Sequence, residues 1–146
     1  MAFLFGSKKT KHPSELVKQT KETLASMEKS KGSSKNAEKA NEIISQNIQQ
    51  MKHILGSDPQ ADQNQEMINI LATEIYSSDL LMLLVQHLGD FEFEAKKDII
   101  SVFNYLLRKQ QGGKYTTVEY LCKNSSFLDE LVRGFEPSLF IFRFFR

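Results

Sequence analysis

Apolar residues recur along most of the chain at the three-and-four spacing of amphipathic helices, interrupted by short clusters of Gly, Pro, Ser and charged residues. Leu16, Val17, Thr20, Leu24 and Met27 form the first stripe, opening at Ser14, whose hydroxyl can accept a first-turn amide. A polar break at 29–34 precedes a second helix from about Lys35 to Leu55. There Ala37, Ala40, Ile43, Ile44, Ile48, Met51, Ile54 and Leu55 share a broad face, and Gly56 is expected to end it in the left-handed conformation. Asp58-Pro59 turns the chain, and Asp62 with Gln65 resembles a capping box for a third helix bearing Met67, Ile68, Leu71, Ala72, Ile75 and Tyr76. Asp79 is expected to cap a short fourth helix with Leu80, Leu81, Leu83, Leu84, Val85 and Leu88, ended by Gly89. The fifth spans about Glu92 to Gln110, with Phe93, Ile99, Ile100, Phe103, Leu106 and Leu107 inward, and Gly112-Gly113 break it. Thr116 or Thr117 opens a sixth (Val118, Tyr120, Leu121). Ser125 or Ser126 opens a seventh (Phe127, Leu128, Leu131, Val132), which Gly134 ends.

No segment alternates with the period of two that marks a half-buried strand, so the class is all-α with about seven helices. Stripes wide enough to touch neighbours on two sides suggest a helical-repeat stack; a compact bundle is the alternative, and without a crisp repeat the periodicity leaves both open. The expected organisation is a flexible leader over 1–13, helical repeats over 14–134 and an atypical aromatic tail over 135–146. Leu139-Phe140-Ile141-Phe142-Arg143-Phe144-Phe145-Arg146 departs from everything before it; such a run needs a partner surface or invites aggregation. The plain reading is the front part of a longer helical protein, closed by residues foreign to the parent fold.

Charge and candidate chemistry narrow the function by exclusion. The net charge of +1 hides an uneven spread, about +5 over residues 1–53 and −5 over 54–134. The front lysines alternate with Glu15, Glu22, Glu28, Glu38 and Glu42, as on a solvated helix face. The single cysteine, Cys122, precludes an intrachain disulfide, is expected to be buried, and points to a reducing compartment. The front end lacks a secretory core. Ala2 stands where N-myristoylation needs glycine, and no apolar run approaches the roughly 18–20 residues of a spanning helix. His12, His53 and His87 have no carboxylate or imidazole at metal-ligand spacing. Gly112-Gly113-Lys114 lacks the context of a phosphate loop, and Asp58, Asp62 and Glu66 do not make a calcium loop. Without a nucleophile, acid and base in one cluster, the chain is read as a non-enzyme with no cofactor and no metal. Phe3 and Phe5 beside Lys8, Lys9 and Lys11 offer no rigid stacking platform, which argues against nucleic acid.

Several segments together carry a family resemblance. These are the leader Phe3-Leu4-Phe5-Gly6, the run from Asp90-Phe91-Glu92-Phe93-Glu94 to Val102-Phe103-Asn104-Tyr105-Leu106-Leu107-Arg108-Lys109-Gln110, the block Thr117-Val118-Glu119-Tyr120-Leu121-Cys122, and Leu131-Val132-Arg133-Gly134-Phe135-Glu136. In order and with few gaps, residues 1–136 resemble the calcium-binding protein 39 family of Mo-type scaffold proteins. The resemblance implies an armadillo-like (HEAT-like) helical solenoid that is cytoplasmic and not an enzyme. It implies binding to a STRAD-type pseudokinase and to sterile-twenty-type kinases, promoting kinase activation. Despite the family name, no calcium is expected. Family members are more than twice this long, and their pocket for the pseudokinase's C-terminal Trp-Glu-Phe tail lies in the absent half, so none of its residues carries over and the protein-binding residues stay unassigned. The expectation is a truncated form of reduced activity. The competing reading is a peripheral membrane-associated module using the basic, aromatic leader or the Phe-Arg tail.

Overall fold

The computed structural model describes residues 11–29, 32–58, 60–111 and 113–135. Among them are seven α-helices: α1 (Pro13–Lys29), α2 (Ser34–Leu55), α3 (Asp62–Ser77), α4 (Leu80–Gln86), α5 (Phe93–Arg108), α6 (Thr116–Lys123) and α7 (Ser125–Phe135). A 3₁₀ turn at Leu88–Asp90 follows α4. A two-residue antiparallel ladder joins α5 to α6, with β1 (Gln110–Gln111) paired to β2 (Lys114–Tyr115) in the register Gln110 to Tyr115. The fold is all-α; the ladder is too short to leave a period-two signature. Residues 1–10 of the expected leader and 136–146 of the expected tail lie outside the described residues.

Helix pairing decides between stack and bundle. Besides sequential neighbours, α1 lies on α3, α2 lies along α5, α1 touches α4, and α4 touches α7. The last three pairs are each three helices apart, and the α1–α3 contact closes the first three-helix unit. A period of three helices is the armadillo-like arrangement, in which each unit buries its apolar face on the next. The core runs unbroken through it, from Leu16 and Leu24 of α1 to Ile44, Ile48 and Met51 of α2, Leu71 and Ile75 of α3, Leu80 and Leu84 of α4, and Leu106 of α5. Each such side chain contributes about 1.5–3 kcal/mol on burial, the main force holding helices that propensity alone would leave marginal. Phe127 of α7 is fully buried and stacks on Phe103 of α5, ring centroids 5.7 Å apart and 9° from parallel, which ties the last described helix to the preceding unit.

Several local expectations are corrected. Pro13, not Ser14, is the first residue of α1. Proline suits that position because its missing N–H would have no partner there. The Ser14 amide donates to His12 Nδ1 (3.3 Å) while its hydroxyl reaches Glu74 (3.3 Å). Gly56 follows α2 in a right-handed conformation (φ −88°), so its freedom of φ is not what the site uses. Ala61 is the N-cap of α3, which places Asp62 one residue too late for a capping box; Asp58 makes the local turn by accepting the Gln60 amide at 2.9 Å. Asp79 precedes α4 in the left-handed region (φ 55°) without a side-chain cap, and its carboxylate accepts the Tyr120 hydroxyl instead.

Helix α5 stops at Arg108, where the chain turns extended into the ladder around Gly113 (φ 78°). Phe93, at the first turn of α5, is 56% exposed, and Val118 and Leu128 are also exposed. Cys122 is exposed as well. On the short helix α6 the sides of Thr117, Tyr120 and Leu121 face the protein, leaving Val118 and Cys122 outside. Helix α7 runs through Gly134 to Phe135. The side chains of Leu131 and Val132 lie outside the described residues.

Candidate protein-binding face

Laying α2 against α5 creates a groove of about 480 Å³ lined by Gln49, Lys52, His53 and Gly56 of the α2 end and by Glu94, Asp98 and Tyr105 of α5. The three-and-four spacing of each set puts it on one side of its helix, beside the buried stripe. Lys52 Nζ meets Asp98 Oδ1 at 2.9 Å, joining the two rows. That hydrogen bond, and then the carboxylate's charge, hold the Lys52 ammonium above its ordinary pKa. Gly56 sits where it does for space: a Cβ there would stand 3.0 Å from the Tyr105 hydroxyl oxygen and 3.2 Å from its ring carbon Cζ. Glycine therefore lets the half-exposed Tyr105 lie down against the end of α2. At the other end of α5, Lys97 holds its ammonium 5.4 Å from the Phe93 ring centroid and also approaches Glu94 at 3.4 Å. This is a mixed surface, mostly charged and polar as at an interface rim, with Tyr105 and Phe93 as exposed aromatic side chains of the kind that serve as interface anchors.

A second concavity, of about 440 Å³, lies between the α1–α2 connection and the 3₁₀ turn. Met27 and Ala37 give it apolar walls. His87, nearly buried, has Nε2 3.5 Å from Glu28 and Nδ1 3.2 Å from Asp90. Asn41 donates weakly to the Asp90 carbonyl (3.5 Å), while its own carboxamide oxygen is sealed from water and accepts nothing. An unmet buried acceptor costs about 1–3 kcal/mol, so its presence asks for an explanation.

Two further polar clusters are architectural. Buried Asn47 of α2 donates to Gln19 (3.1 Å) and accepts from Lys11 Nζ (3.2 Å); the same ammonium also reaches Gln19, and the Lys11 amide donates to Gln50. Between α3 and α6, the Tyr76 hydroxyl meets those of Thr116 and Thr117, and its ring stacks on Tyr120 at 5.2 Å. Burial, and then the hydrogen bond to Asp79, push the Tyr120 hydroxyl well above its ordinary pKa.

The structure separates the three histidines. His12 is at the start of α1, His53 borders the α2–α5 groove, and His87 is engaged with two carboxylates. The His87 contacts escaped sequence reasoning because Glu28 is brought in from another helix; Asp90, three residues on, was the only local signal. Among the described residues no three His, Cys, Asp or Glu side chains gather as a metal site. Nor is any single described helix long and apolar enough to cross a membrane. The bent pair Gln63–Ser77 and Leu80–Gln86 has the composition, but its Leu71, Ile75, Leu80, Leu81 and Leu84 are core residues.

Comparison with known proteins matches residues 3–142 to the family described as Mo25-like, a span that takes in most of the leader and part of the aromatic tail. The chain is 40% identical over 130 residues to human "Calcium-binding protein 39-like", covering 89% of this chain and 38% of that protein. It is 40% identical over 136 residues to "MO25-like protein 2" of Caenorhabditis elegans (91% of this chain, 40% of the relative). To the "Mo25-like protein" of Schizosaccharomyces pombe it is 30% identical over 132 residues, covering 90% and 39%. The chain thus spans about two fifths of the length of the curated relatives it matches.

Proposed function

The chain belongs to the Mo25-like family, and from that premise we propose that it is a protein-binding scaffold whose partner is a protein kinase or pseudokinase of the STRAD or sterile-twenty type. The observation that carries the reading is the α2–α5 groove, where the three-helix period sets two long helices side by side with Lys52, Asp98 and Tyr105 on a shared face. A surface built on packed helices is preorganised: it loses little entropy on binding and favours the one kinase conformation it fits. The role is non-catalytic and cytoplasmic, and the repeats described here take part in it.

The test is calorimetric titration of the chain into an isolated kinase or pseudokinase domain that binds the human relative. Binding is expected, and the paired substitutions Lys52→Glu and Tyr105→Ser weaken it by about 30-fold or more, the loss of one interface anchor. A domain that binds the human relative and ignores this chain would overturn the scaffold reading. Equal binding by the variant would displace the contact from this groove.

A further inference from the structure

The cleft beside His87 gathers hydrogen-bond acceptors and offers little to meet them. The Asn41 carboxamide oxygen lies at its side with no donor, and the Glu28 and Asp90 side chains, each more than half exposed, stand at its mouth. His87 touches one oxygen of each carboxylate, which fixes them in place and leaves the rest of their lone pairs open. None of the described residues lining the cleft is a lysine or an arginine. The uncapped start of α2 at Ser33 and Ser34 contributes about half a positive charge, which two carboxylates outweigh. Met27 and Ala37 supply an apolar wall on the way in.

We propose that this cleft binds the arginine side chain of an extended partner peptide. The aliphatic stem covers Met27 and Ala37, and the guanidinium stands among Asn41, Asp90 and Glu28. A small turn of the Asn41 amide presents its oxygen to one N–H of the guanidinium while others reach the carboxylates. Five donors in a rigid plane suit acceptors spread over two helices and a turn, where a compact ammonium serves fewer of them. The site is separate from the α2–α5 groove and stands whether or not a kinase is the partner.

The full chain is titrated with acetyl-Gly-Arg-Gly-amide and followed by amide-resolved NMR. Saturable shifts are expected at Gly32, Ser33, Asn41 and Asp90, falling away with added salt. The same peptide with citrulline, neutral and of nearly the same shape, binds at least about tenfold more weakly, the worth of one charge-assisted bond. Asp90→Asn weakens the arginine peptide by a similar factor and keeps the native melting temperature, since the amide still bonds His87. The proposal is overturned by equal binding of the citrulline or lysine peptide, by Asp90→Asn binding like the parent, by shifts that map to the α2–α5 groove, or by no shift at peptide concentrations of about 10 mM.

Discussion

Replacing Phe127 by alanine tests whether the last described helix is locked into the stack. The ring is fully buried and lies flat on Phe103. Removing a buried phenylalanine costs about 3–5 kcal/mol, the spread reflecting how far the site collapses. Among the described residues, helix α7 packs on α4, α5 and α6, at the end of the described stack rather than its centre, so the expected loss is at the low end, about 3 kcal/mol. For a chain near 150 residues that lowers the melting temperature by roughly 6–12 °C, out of a total stability of about 5–15 kcal/mol. The stack's own share, about 0.5–1.5 kcal/mol, is isolated by a cycle of Phe103→Leu and Phe127→Leu, which conserve apolar character while removing the rings. Urea unfolding is followed by circular dichroism and by tyrosine fluorescence, the chain having no tryptophan. Coincident transitions with the expected loss support one cooperative unit. A loss below about 1 kcal/mol, or early melting of part of the helical signal with the tyrosine transition unmoved, would refute it and make α7 an appendage.

Two other outcomes follow from single groups. Cys122, being exposed, should react with one equivalent of a colorimetric disulfide reagent in the folded protein, within about tenfold of the rate in denaturant; reaction only after unfolding would restore the buried thiol expected from its helix. The Lys52 ammonium is held above 10.5 by Asp98, so its contribution is fully present below that pH and is lost as the pH rises through the higher folded value. The stability difference between the parent and Lys52→Met is therefore level from neutrality to about that point and then shrinks. Tyr120 titrates alike in both proteins and cancels; a difference that instead shrinks toward neutrality would contradict the assignment.

The positions at which the structure departs from the sequence pattern each have a physical cause outside the local pattern. Phe93 belongs to the apolar stripe of α5 yet is exposed because it is the helix's first residue, and Val118 and Leu128 are exposed on the short helices α6 and α7, which have fewer neighbours to bury a stripe against. Cys122 follows the same logic on a helix of only eight residues. Asp62 and Asp79 have the right residue type near the right place, but capping depends on backbone geometry to within one residue, and the Asp79 carboxylate is taken by the Tyr120 hydroxyl. Gly56 was correctly marked as a stop, but for the wrong reason. Its missing side chain admits Tyr105, a neighbour 49 positions away that no local reading could supply.

What the sequence determined by itself was local and periodic. The three-and-four recurrence of apolar residues specified the helices, their order and most of the core from Leu16 to Leu106, because helical geometry makes the buried face a function of spacing alone. The family was legible too, through blocks spread over the whole chain. Tertiary structure decided which helices lie together: the three-helix period, the α2–α5 groove, the Lys52–Asp98 pair, and the meeting of Glu28, Asn41, His87 and Asp90. Those pairings depend on how complementary ridges and grooves pack over distances of tens of residues, and hydrophobic periodicity is the same whichever neighbour a helix chooses.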